Sequence, residues 1–215
     1  MIPLPTGAAT GPHDAAFLPR RGLSPRPAER PITAPVPKLG GEPCWLAEPT
    51  WPLDPSTGEP LVFIGQFPVP GEPGRLAYLF LDEEGEIMGG LDPERGDGLL
   101  LVQPGGRIPP FAVIGPPGTR GRTLWRCEPD GERTPVEYHL DVVPLSDDDH
   151  VRDHLGGEPS YPNGRARVPA PWQYLFGLSD APDDSDPYFL NFGYGKGFGF
   201  LSPDGLEGRF FWEAP

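Results

Sequence analysis

Cysteine is nearly missing from this chain. Cys44 and Cys127 are the only two in 215 residues, with no CxxC pair between them. That excludes a disulfide framework, and free thiols in a reducing cytoplasm are the expectation. No apolar run approaches the length that crosses a bilayer. The N-terminal stretch has neither the charged nor the apolar segment of a signal peptide, so a cytoplasmic location is expected. Catalytic signatures are missing as well. There is no GxSxG elbow, and neither cysteine has a histidine beside it in sequence. Lys196 lacks both the preceding GxxxxG and the following Ser/Thr of a phosphate loop. The expectation is therefore no catalytic residue, no cofactor and no metal.

Positive charge is scarce too, 17 Lys+Arg against 31 Asp+Glu, for a formal charge of −14. Residues 129–215 carry −10 of it and residues 1–128 only −4. A field of that sign repels phosphate backbones and anionic lipid, which argues against nucleic acid and membrane surfaces; it leaves room for a basic protein partner, though excess carboxylate most often just keeps a chain soluble.

What the chain does have is 34 prolines, 30 glycines and 23 aromatic residues. The aromatic and β-branched residues gather in short runs between turn signals, the pattern of strands joined by tight turns. These runs are 61–67, 75–82, 99–103, 111–114, 123–127, 136–143, 172–178, 188–192, 198–201 and 209–212. No βαβ rhythm links them, so the fold class is α+β, predominantly antiparallel β, with few short helices. One stretch reads as a helix, Ser146 to Leu155, with Ser146 as cap, Asp147–Asp149 at its positive end and Gly156 as the stop. His150 and His154 fall four apart on it, a pair without a third metal ligand. The acidic run 180–186 lacks the central glycine and final glutamate of a calcium loop.

Residues 1–31, rich in Pro and Ala with four arginines, read as a flexible leader. Beyond them an internal repeat is legible. Leu39-Gly40-Gly41-Glu42-Pro43 recurs as Leu155-Gly156-Gly157-Glu158-Pro159. Phe63–Phe67 is followed by Tyr78–Leu81 and an acidic Gly turn, just as Tyr174–Leu178 is followed by Phe198–Leu201 and another. The division is 32–145 for a first repeat with inserted strands and 146–215 for a second, packed together as one globular unit.

These motifs, with Trp51-Pro52, Pro60–Gln66 and Trp172–Phe176, resemble the YwqG-like family of uncharacterised bacterial proteins over residues 32–215. The resemblance implies a duplicated, sheet-rich fold with two similar subdomains, and it implies no activity. Where the second half would match Gln66 it has Gly177.

In the run 191–200 glycine alternates with large residues, so as a strand it bares its backbone on one face. Close packing of the two halves accounts for such a face; a groove, with Lys196 meeting an anion, is the sharper reading. Trp51, Gln66, Tyr194 and Lys196 are the candidate binding residues. The first-ranked function is a non-enzymatic interaction protein of immunity or regulatory type. A small-molecule binder using the cleft between the repeats comes second, and a hydrolase third.

Overall fold

The computed structural model describes residues 18–82, 90, 92–128, 130–145, 153–164, 167–179, 190 and 195–214. They form fourteen strands, and among the described residues no α-helix is present. The strands are β1 (Arg21–Pro27), β2 (Lys38–Gly40), β3 (Pro52–Leu53), β4 (Val62–Pro68), β5 (Leu76–Leu81), β6 (Gly98–Gln103), β7 (Val113–Ile114), β8 (Trp125–Cys127), β9 (Arg133–Pro135), β10 (Glu137–Pro144), β11 (His154–Leu155), β12 (Gln173–Ser179), β13 (Lys196–Leu201) and β14 (Gly208–Glu213). Ten of them make one antiparallel sheet in the order β14-β13-β12-β11-β1-β10-β2-β4-β5-β6.

The sheet curls until its two ends meet. Arg107 N donates to Leu206 O at 2.7 Å, and the Arg107 guanidinium reaches Asp204 at 2.6 Å. Gly98 and Gly208 sit where side chains would strike Phe210 and Leu100 of the opposite end strand. The result is a nearly closed barrel. Alternation divides its residues cleanly. Ala77, Leu79, Leu100, Val102, Phe176, Leu178, Phe210 and Trp212 belong to one continuous inner core. Phe67 of β4 and Phe176 of β12 stack there at 4.2 Å. The outer faces carry two smaller clusters. Trp45, Leu46 and Phe111 pack on Phe63, Tyr78 and Phe80 at one, while Tyr161 and Trp172 pack on Tyr174, Phe198 and Phe211 at the other.

Two expectations are corrected. The leader is not loose throughout 1–31, because β1 lies near the middle of the sheet, paired with β10 over its whole length. Its sequence hides this, since Leu23 is its one large apolar residue and Pro25 and Pro27 argue against a strand. Parity explains the prolines. Ala28 donates toward β10 and Leu23 to Asp153 O on the other side, so Pro25 and Pro27 face away from β10. There β11 pairs only Arg21 and Gly22, and no ladder amide is lost. The expected helix also fails at its end. His154 and Leu155 are strand, paired with Gly177 and Phe176, and residues 146–152, His150 among them, lie outside the described residues.

Candidate functional site

The outer faces of the two halves share a pairing scheme. Lys38 and Leu39 of β2 oppose Gln66 and Gly65 of β4; His154 and Leu155 of β11 oppose Gly177 and Phe176 of β12. The strands β4 and β12 each bulge, between Phe63 and Gly65 and between Tyr174 and Phe176. Across from Gln66 stands Tyr78, and across from Gly177 stands Phe198. Register thus sets Lys38, Gln66, Tyr78 and Gln103 against His154, Gly177, Phe198 and Glu213.

In the first half every one of these groups holds the segment 32–50 in place. Lys38, fully buried, donates to Glu137 at 2.7 Å and to Ile32 O at 3.0 Å. Gln66 accepts from Cys44 N at 2.9 Å and donates to Val36 O at 2.8 Å. The Tyr78 hydroxyl donates to Cys44 O at 2.8 Å, and burial pushes its pKa up. Gln103 accepts from Ala47 N and donates to Glu48 O. Trp51 is buried between Trp45 and Phe80, its indole N–H donating to Leu61 O at 2.7 Å. Gln66 and Trp51 are therefore framework residues. Gln66 is fully buried with both ends of its amide turned to the segment 32–50, so it presents no surface to a ligand.

The second half is built differently. A side chain at Gly177 would meet the Tyr174 hydroxyl, Lys196 Cε at 2.8 Å and His154 Cε1 at 3.3 Å, so three polar side chains converge where the first half has a glutamine. His154 and Tyr174 are buried, with the Tyr174 hydroxyl 3.3 Å from His154 Nε2. Asp153 beside them accepts from Ser179 N at 2.7 Å. Lys196 rises from β13 with its ammonium 5.8 Å from the Phe198 ring, and among the described residues it has no hydrogen bond or ion pair. Burial lowers its pKa; Asp153 opposes that shift and Arg20 adds to it. The same burial drives Tyr174 upward, so its phenol stays protonated. Glu213, opposite Lys196 on β14, accepts from Asn163 N at 3.2 Å with Oε1 and has no partner at Oε2 among the described residues. The glycine face of β13 is packed shut from within, Gly199 against the ring of Phe176.

Cavities lie elsewhere, one of about 510 Å³ among them between Glu42, Arg122, Trp125 and Arg133. A groove of about 670 Å³ runs between residues 29–37 and β10, lined by Arg26, Arg30, Ile32, His139 and Asp141. A smaller one, about 190 Å³, gathers Asp54, Asp82, Asp97 and Arg95. No group of three or more potential metal ligands occurs among the described residues, nor any helix long and apolar enough to cross a membrane.

Of the four residues singled out in the sequence, only Lys196 joins the polar cluster; Tyr194 lies outside the described residues. His154, Tyr174, Asp153 and Arg20 were missed as a group. The available signal was Gly177, which stands opposite His154 on β12 as Gln66 stands opposite Lys38 on β4. Comparison with protein-family models, with curated proteins and with solved structures gives no match to this chain.

Proposed function

We propose that this chain is a non-enzymatic binding protein of YwqG-like type, made of two diverged copies of one antiparallel unit. One copy maintains the scaffold and the other carries recognition groups. One observation carries the reading. Lys196 Nζ has no hydrogen bond or ion pair, and Glu213 Oε2 has no partner, among the described residues on the second outer face. Every matching polar group of the first face is engaged. The duplication is supported by the shared bulges and by the parallel contacts of Ala47 N with Gln103 and Asn163 N with Glu213. The physiological partner is a basic protein, since a formal charge of −14 steers such partners and repels acidic ones. An immunity or regulatory role, in which the acidic chain covers a basic surface, fits that chemistry.

The test is affinity capture with the full chain, followed by measurement of stoichiometry and salt dependence with the purified partner. A one-to-one basic partner whose association slows at high salt is expected. Finding no stoichiometric partner, or only acidic ones, would overturn the reading.

A second reading, a small-molecule binder at the seam, is favoured by the groove of about 670 Å³ beside β10, a volume in the range of ligand sites. A thermal-shift screen in which no compound raises the melting temperature, or in which hits survive His139→Ala and Arg30→Ala, sinks it.

A further inference from the structure

Strand β2 is three residues long, while its neighbours β4 and β10 run past it at both ends. Past Gly40 the chain fills the line itself. Residues 122–124 are stitched between β4 and the start of β10, with Phe63 N donating to Arg122 O at 2.9 Å, Leu124 N to Phe63 O at 3.0 Å and Val136 N to Leu124 O at 3.0 Å. Before Lys38 the line is broken by proline. Pro37 O accepts from Leu140 N at 3.1 Å, but Pro37 has no N–H to return, and neither has Pro35. The Val36 amide turns instead to Ala34 O at 2.8 Å. β10 continues to Pro144 all the same, paired on its other side with β1. Leu23 N points to Asp153 O, away from β10, so Val142 opposite it points away from β1. Leu140 O and both main-chain groups of Val142 therefore face the groove of about 670 Å³ between β10 and residues 29–37, with no strand opposite them among the described residues. The walls of that groove are drawn wholly from described residues.

We propose that this edge takes an extended segment of a basic protein, added antiparallel to β10 on the line of β2, with apolar side chains alternating with Lys or Arg. The proposal rests on the reading of the chain as a binder of a basic partner and gives that partner a further contact. An open edge offers main-chain donors and acceptors at the spacing of another main chain, which is the chemistry of strand addition. Register sets the side-chain pattern. An added residue opposite Val142 shares the inner side with Leu140 and Val142, both packed on the core. The residue opposite Asp141 lies on the outer side. Asp141 is held by Arg26 at 3.4 Å with both side chains more than half exposed, so a cation placed there gains a cross-strand partner. Arg30, His139 and Glu29 border the groove as well, and Glu29 with Asp141 balances Arg26 with Arg30. The local charges cancel, and the −14 of the whole chain sets the sign of the segment that approaches.

The probe is a capped peptide, acetyl-Thr-Val-Lys-Val-Lys-Val-Thr-amide, titrated into the full chain. Saturable binding is expected, with the Val142 amide becoming protected from hydrogen exchange. The same peptide with Glu for Lys should bind about threefold more weakly. N-methylation separates the peptide's two edges. Methylated at its valine amides, which would face β10, it should bind about tenfold more weakly; methylated at its lysine amides, it should not. In the protein, Val142→Pro removes the open N–H without touching the β1 ladder and should weaken binding by about the same tenfold. Thermal unfolding shows whether that variant is folded, and the methylated peptides decide without altering the protein. Asp141→Lys should favour the Glu peptide, whereas Glu158→Lys, the same charge change at an exposed residue elsewhere, should not. No protection at Val142, equal binding of the two methylated peptides, preference of the parent chain for the Glu peptide, or equal saturation by acetyl-lysine amide, a small molecule, overturns the proposal. Peptide binding by a chain that captures no stoichiometric partner upholds strand addition here while removing the partner reading. A basic partner that binds folded Val142→Pro as tightly as the parent does the reverse.

Discussion

Lys38 Nζ lies 2.7 Å from Glu137 Oε1, joining a fully buried ammonium on β2 to a carboxylate on β10 that also accepts the Ile32 amide. Removing one member leaves the other without its partner in a poorly solvated place. Glu137→Ala should therefore destabilise the fold by about 3 kcal/mol, whereas the apolar pair Lys38→Met with Glu137→Leu should cost much less. Denaturant unfolding of the single and paired variants checks this. If the paired variant is as unstable as Glu137→Ala, the cost lies in something other than the stranded charge.

The ring stack of Phe67 on Phe176 ties β4 to β12 through the barrel interior. Both residues are fully buried. Phe176→Ala is expected to cost about 3–5 kcal/mol, the range for truncating a buried aromatic. A double-mutant cycle with Phe67→Leu should return a coupling of about 1 kcal/mol. Additive losses would mean that the two strands are held by the remaining core and not by this contact.

The strand runs of the barrel could be read in advance, and the site could not, for one physical reason. β4, β5, β6, β12 and β14 announce themselves because their apolar residues face a continuous core. β1 has little apolar content, and its pairing with β10 and β11 is what makes it a strand. His154 sits in a stretch with good helix caps, yet it pairs with Gly177 because tertiary ladder bonds outweigh local propensity. Gln66 stands out in an apolar strand and invites a ligand reading; burial shows it gripping Cys44 and Val36. Sequence shows that a polar residue is buried, but not which neighbour uses it.

Gln66→Ala tests that distinction. It strands the Cys44 amide and the Val36 carbonyl, and about 2–3 kcal/mol of stability should go with them. A Gln66→Ala protein as stable as the parent in denaturant unfolding would show that these two contacts do not hold the segment 32–50.

Asp97 gives the chain a pH signature. Burial raises its pKa to about 6, Arg95 at 3.3 Å works against the rise, and Asp54 adds to it. The folded state thus holds this proton more tightly than the unfolded chain, whose aspartates titrate near ~4. The contribution to stability is full below ~4 and is lost as pH climbs through about 6. Asp97→Asn removes the titrating group. The variant should match the parent near pH ~4 and exceed it above ~6 by about 1 kcal/mol, after allowance for solvent screening. Unfolding midpoints across that range decide it, and a variant less stable than the parent at neutral pH would reverse the sign.

Gly177 is the position on which the second face turns. A Cβ there would lie 2.8 Å from Lys196 Cε, 3.3 Å from His154 Cε1 and closer still to the Tyr174 hydroxyl. Lys196 can swing away, being the far end of a flexible chain, but Tyr174 is a buried ring fixed between Phe198 and Phe200. Gly177→Ala should therefore cost about 1–3 kcal/mol from overpacking alone. Deleting the hydroxyl relieves the clash, so Gly177→Ala with Tyr174→Phe should be more stable than Gly177→Ala. Denaturant unfolding of the two single variants and the paired one checks this. If Tyr174→Phe gives no relief, the backbone at Gly177, and not the convergence of side chains above it, is what requires glycine.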